Sequence, residues 1–190
     1  MIGNDLVDLT TAKKESNWQR AGWLDKLFSP REQLRIFEAI CPEVEVWKRW
    51  SRKEAAYKAH QRLHNHAPVF NPIRMDTSDP KWVAIGTTQY DVITTQNNNL
   101  IHSTATRFDK VEKIAYTILN YSNTTDKTIL LNVLAKTFNL ETSRLSIVKN
   151  EYQIPQLLDH SSQKRIPISI SHHGSYIACA WLLDYKKRKK

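Results

Sequence analysis

Two acids and a lysine stand where the sequence pattern calls for apolar side chains, and together they could grip a divalent cation against phosphate oxygens. Glu54 and Lys58 lie in the stretch Trp47-Lys48-Arg49-Trp50-Ser51-Arg52-Lys53-Glu54-Ala55-Ala56-Tyr57-Lys58-Ala59. At about 100° per residue, Val46, Trp47, Trp50, Lys53, Glu54, Tyr57 and Lys58 share one half-turn of a helix, with Ala55, Ala56 and Ala59 opposite. The alanines admit a close neighbour, which directs Glu54 and Lys58 into an aromatic cleft on the other flank. A carboxylate held there needs a partner. Asp5, on an apolar strand face with Val7 and Leu9, is the second acid. Each has a plainer reading as well: Glu54 and Lys58 as an i,i+4 surface pair worth a few tenths of a kcal/mol, and Asp5 as a turn cap on an exposed edge.

Taken together, two carboxylates with open positions suit Mg²⁺ bound through substrate phosphates and water. Such a metal neutralises charge that develops in phosphoryl transfer. Ser171-His172 at a strand end adds polar groups to the set. With four glycines in the chain, neither a Walker loop nor a dinucleotide fingerprint can be written, so basic side chains must do the anion binding.

The elements that must position these residues follow from patterning. Ile2 to Leu9 reads as a strand at the start of the fold. Residues 10 to 45 are polar and helical in character, with Ser29 as N-cap, Pro30 first and Glu32 near it, for a helix running to about Ala39 and broken before Pro42. The charged helix spans about Glu43 to Leu63. Short β-rich runs follow at Trp82–Ile85, Tyr90–Ile93, Leu100–Ser103 and Lys113–Leu119, with Asn97-Asn98-Asn99 as a loop tip. Tyr121 to Thr125 marks a boundary between lobes. A helix through Ile129, Leu130, Val133, Leu134 and Phe138, capped by Thr124 or Thr125 with Asp126 in its first turn, precedes strands at Leu145–Val148, Ile166–Ser171 and Tyr176–Leu183. His172-His173-Gly174-Ser175 reads as the tight turn between the last two. The pattern gives an α+β fold in which each lobe is a small sheet with helices against it, since both halves mix strands with one long helix. Residues 1–122 form the first lobe, 123–185 the second and 186–190 a basic tail.

Composition bounds the class. At 190 residues, 41% hydrophobic and with six tryptophans, the chain can bury a core as one domain or two closely packed lobes. It has no apolar run long enough to span a membrane and no signal pattern, and a cytoplasmic protein is expected. Cys41 and Cys179 are too few for a disulfide framework and read as small buried filler. His60, His64 and His66 read as ordinary loop histidines rather than a metal cluster. The formal charge of +9 calls for an anionic partner.

Three stretches resemble the signatures of the 4′-phosphopantetheinyl transferases: Gly3-Asn4-Asp5-Leu6-Val7-Asp8, Trp50-Ser51-Arg52-Lys53-Glu54-Ala55-Ala56-Tyr57-Lys58-Ala59 and Ser169-Ile170-Ser171-His172. They match that family's Gly-x-Asp, (Trp)-x-x-Lys-Glu-(Ala/Ser)-x-x-Lys and Ser-x-Ser-His motifs. The resemblance implies transfer of the phosphopantetheine arm of coenzyme A to a serine of an apo acyl or peptidyl carrier protein, in fatty-acid, polyketide or peptide synthesis. Asp5 and Glu54 would hold Mg²⁺. Glu54 and Lys58 would be the catalytic pair, and Lys53, Lys58, Ser171 and His172 would bind the cofactor. The motif order is that of the short holo-acyl-carrier-protein synthases, at a length that accommodates both lobes of the larger type, so the resemblance implies a monomer of two similar α/β lobes with pseudo-twofold symmetry, each a small, mainly antiparallel sheet packed on a long helix, with the site between them. Val7 stands where the larger type has a second acid and Asp8 is one residue out of register, which favours two protein ligands. The Gly-Lys-Pro segment of the larger type is at best Gln153-Ile154-Pro155, with Lys164 and Arg165 as compensating basic groups. The competing readings are a basic nucleic-acid-binding protein, motivated by charge and tail but lacking a stacking platform, and a carrier-binding module with weakened catalysis.

Overall fold

A computed structural model describes residues 1–109, 112–120 and 128–183. The elements run β1 (Ile2–Asp8), α1 (Leu9–Glu15), α2 (Trp23–Leu27), α3 (Pro30–Phe37), α4 (Pro42–His64), β2 (Met75–Asp76), β3 (Trp82–Ile85), β4 (Thr88–Asn97), β5 (Leu100–Arg107), β6 (Ile114–Asn120), α5 (Thr128–Phe138), β7 (Leu145–Lys149), β8 (Pro155–Asp159), β9 (Lys164–His173) and β10 (Tyr176–Leu182). Two five-stranded sheets result, both antiparallel, in the orders β1-β5-β4-β3-β2 and β6-β10-β9-β8-β7. The second order repeats the first: one strand, a helical stretch (α1 to α4 in the first lobe, α5 in the second), then four strands of which the last returns beside the first. This is the two-lobed α+β architecture expected from the pattern.

The residues account for the elements. Ser29 accepts from the Glu32 amide while the Glu32 carboxylate accepts from the Ser29 amide, a reciprocal cap with Pro30 at the first helical position,. Asp8 ends β1 by capping α1, its carboxylate accepting from the Thr10 and Thr11 amides and the Thr11 hydroxyl,. Pro42 opens α4 and left-handed Asn65 closes it,. In the first lobe Ala55, Ala56, Tyr57 and Ala59 of α4 pack on Val83, Tyr90, Val92 and Ala105 of the sheet. In the second, Leu130 and Leu134 of α5 pack on Leu157, Ile168, Cys179 and Trp181.

Sheet membership shifts some expectations. The strand expected at Lys113–Leu119 is β6, and it pairs β10, so by sheet it belongs to the second lobe although it precedes the boundary read at Tyr121 to Thr125. That stretch and the basic tail lie outside the described residues, as do the helix caps read at Thr124 or Thr125 and Asp126. β8 lacks a clear alternation in its sequence and is revealed by its pairing with β7 and β9. The turn read at His172 to Ser175 is only Gly174-Ser175, with Gly174 left-handed; both histidines belong to β9 and pair Ile177 and Tyr176. Cys179 is buried as expected, whereas Cys41 is exposed. Among the described residues no helix is long and apolar enough to cross a membrane.

The lobes meet along β1, and Arg62 fastens them. Its buried guanidinium donates to the Ile2 carbonyl in the first lobe and to the Pro155 and Ile168 carbonyls in the second, the last at 2.5 Å. Substituting Arg62→Met keeps the bulk but leaves these buried acceptors unpaired, and is expected to cost on the order of 3 kcal/mol. Urea midpoints measure it, and an unchanged midpoint would remove Arg62 as the fastener.

Candidate active site

Asp5 reaches α4 because Gly3 lets β1 come so close. A Cβ at Gly3 would overlap the Ala55 carbonyl and the Ala59 amide, so only glycine admits this contact. The neighbour that the alanines of α4 accommodate is therefore β1 itself. Two residues further along the same face of β1, Asp5 projects at the helix. There the Lys58 ammonium donates to Asp5 Oδ1 and to the Asn4 carbonyl, each at 3.0 Å. Ser51 Oγ donates to the Asp5 carbonyl at 3.4 Å.

Glu54 stands one turn before Lys58. Burial and the charge of Asp5 push its carboxyl up to about 7, with Lys58 opposing. Asp5 itself is 8% exposed, and its Oδ2 has no hydrogen-bond partner. A buried carboxylate oxygen left unpaired is costly. A buried carboxyl whose proton affinity a neighbouring acid raises, set beside that acid's orphaned oxygen, forms with it a donor set that a hard cation satisfies,. On the far side Trp50 and Tyr57 close on Phe70 edge to face, at 5.4 and 5.1 Å between centroids. The Tyr57 hydroxyl accepts from the Val69 amide and holds that loop.

Of the residues named from sequence, the fold thus brings Asp5, Glu54 and Lys58 together. It turns Lys53 away. The Lys53 side chain is 0% exposed, and its three ammonium protons go to Glu32 Oε2 and to the Leu27 and Pro72 carbonyls, at 2.9, 2.7 and 2.9 Å. An ammonium has three donors and no more, so Lys53 has none left for a cofactor and its role is to join α3 to α4. Burial alone would raise the Glu32 carboxyl, but Lys53 and Thr77 outweigh it and hold Glu32 below its usual range. Arg49 and Arg52 are spent similarly: both donate to the Thr77 carbonyl, and Arg52 also to those of Asp79 and Trp82. The charge on this helix that looked anomalous is in large part an internal scaffold.

Ser171 is buried, and its hydroxyl accepts from the Asn4 side-chain amide at 3.3 Å. It faces β1, not an open cavity. His172, next in an extended strand, falls on the opposite face with Ile168 and Ile170 and is exposed,. Asp8 is occupied as the cap of α1, and Val7 is packed with Trp47 and Ile101, so neither adds an acid beside Asp5. Gln153 is left-handed, at φ +62°, in the turn from β7 to β8, where a glycine would be at ease. His60, His64 and His66 do cluster by their rings, but among the described residues no three His, Cys, Asp or Glu side chains are grouped to hold a metal.

His102 was not anticipated. It is buried on β5 behind Asn4, its Nε2 3.3 Å from the Asn4 side-chain nitrogen and its ring 4.5 Å from that of Tyr116. Burial, then Lys58, lowers it to about 4, so it is neutral at pH 7 and adds no charge to the site. Its parity with Leu6 and Asn4 across the β1–β5 register was the signal, readable only once β1 and β5 were known to pair.

The family model described as the 4′-phosphopantetheinyl transferase superfamily matches residues 1–119. The chain belongs to that superfamily. The match takes in β1, α4 and the whole first sheet and ends within β6. Members transfer phosphopantetheine from coenzyme A to carrier proteins and typically use a divalent metal, so transferase activity of this general kind follows from membership. No curated protein and no solved structure matches the chain.

Proposed function

We propose that this superfamily member moves the 4′-phosphopantetheine arm of coenzyme A onto a serine of an apo acyl or peptidyl carrier protein, with Asp5 and Glu54 as the protein ligands of Mg²⁺. The observation that carries the reading is the orphaned, buried Oδ2 of Asp5 beside a Glu54 whose proton affinity Asp5 raises. When bound, the cation would offset charge on the pyrophosphate. In the transfer, the serine Oγ–phosphorus bond forms and the phosphoanhydride P–O bond breaks, releasing adenosine 3′,5′-bisphosphate. Glu54, directly or through water, takes the serine proton. Lys58 spends two of its protons on Asn4 and Asp5. The third remains for a phosphate oxygen, where it steadies the leaving group.

His172, exposed at the end of β9, is assigned to a coenzyme A phosphate remote from the acid pair. Lys53 drops out of the cofactor contacts because its three ammonium protons are already used, and Ser171 because it is buried against β1. The net charge of +9 suits an anionic cofactor and an acidic carrier,. Incubation with coenzyme A, Mg²⁺ and a panel of apo carrier proteins is expected to add the arm's mass to a carrier serine. Carrier binding without that gain would select the binding-module reading instead. A folded protein that neither binds nor labels any carrier would overturn both.

A further inference from the structure

β1 is an edge strand, so the amides and carbonyls on its outer side have no partner strand. Four of them are met by side chains. The Ile2 and Asn4 carbonyls accept from Arg62 and Lys58. The Asn4 amide donates to Ser169 Oγ at 2.9 Å and the Asp8 amide to His173 Nδ1 at 3.0 Å. Ser169, Ser171 and His173 alternate along β9 and face β1, and the first and last of them bond β1 on either side of Asp5.

The second lobe supplies an internal comparison. Matching the two sheets by register places β6 on β1 and the β4–β5 hairpin on β9–β10. Thr117 then stands at the position of Asp5, and Ile93 at that of Ser169. Ile93 offers no acceptor, is 66% exposed, and lines a groove of about 610 Å³ with Thr95, Thr104, Ile114 and Tyr116. The seam is hydrogen-bonded shut beside the strand that carries an acid and gapes beside the strand that does not.

We infer that Ser169 and His173 are positioning residues: by fixing the backbone of β1 at Asn4 and Asp8 they aim the Asp5 carboxylate at Glu54 for cation binding. This rests on the metal reading above, and it gives the Ser-x-Ser-His-His stretch a task separate from touching coenzyme A. Groups that orient a metal ligand without touching the metal carry measurable affinity.

The test uses the full chain and Mn²⁺ alone as the probe, followed by the electron paramagnetic resonance of the free ion. Ser169→Ala and His173→Phe are each expected to weaken Mn²⁺ binding about 10- to 100-fold. Ser169→Thr and His173→Asn, which keep an acceptor near the lost atom, are expected to restore most of it. Leu157→Ala, in the core of the second lobe, should lower the urea midpoint while leaving Mn²⁺ affinity unchanged, which separates positioning from general stability. Wild-type affinity in Ser169→Ala and His173→Phe, or equal losses in Leu157→Ala, would overturn the positioning role alone. No Mn²⁺ binding by the folded wild-type chain would overturn the metal reading and the inference together.

Discussion

Glu54→Gln is expected to abolish phosphopantetheinyl transfer, by at least about 10³-fold in kcat/KM, and yet to stabilise the metal-free protein above neutral pH. The loss follows from removing a general base, worth about 10² to 10⁴, together with one of the two proposed ligands. The gain follows from the proton. Burial and Asp5 raise Glu54 from an ordinary carboxylate to about 7, so the folded state holds a proton the unfolded chain would release. That contribution is full below about pH 4.5 and is lost as pH rises through about 7. Between pH 5 and pH 8 the wild-type protein in chelator should therefore lose on the order of 2 to 3 kcal/mol that Glu54→Gln keeps. Urea midpoints at the two pH values measure it, and added Mg²⁺ should return stability to the wild type and not to the variant. Equal pH slopes for the two proteins would mean that neither burial nor Asp5 raises Glu54 in the folded protein.

One residue earlier, Lys53→Met should do the reverse. It leaves the Glu32 carboxylate, itself 0% exposed, without its counter-charge and two carbonyls without a donor. Breaking a buried pair from one side costs about 3 to 5 kcal/mol, which in a chain of this length lowers Tm by roughly 10 °C or more. Because Lys53 does not reach Asp5 or Glu54, turnover per folded molecule at low temperature should stay close to wild type. The double variant Lys53→Met/Glu32→Gln should recover part of the stability. Turnover lost in proportion to neither stability nor folded fraction would return Lys53 to the cofactor.

The contrast between these neighbours shows where one-dimensional reading stops. Helical periodicity puts Lys53 and Glu54 within the same half-turn, and nothing in the spacing says which of them meets solvent. The partners decide: Glu32, brought across by the capped helix that begins at Ser29, and the Leu27 and Pro72 carbonyls together satisfy Lys53 completely, while the charges acting on Glu54 are another acid and a shared lysine. The pattern places His172 in the turn, but β9 runs two residues further, which puts His172 on the face opposite Ser171 and His173 toward β1. A shift of one position reverses a strand's faces, and the length of a hairpin loop is a weak signal in sequence.

What the amino-acid order determined by itself was local and chemical: the glycine and alanines that let a strand lie against a helix, the capped start of α3, the alternating runs that became strands, and the acids set among apolar residues. These depend on neighbours a few positions away. The tertiary structure alone decided which polar groups remain open to a ligand, because a buried charge is available only if no other part of the chain has already met it, and Glu32, His102 and Ser169 come from segments that no local pattern connects to Asp5 and Glu54.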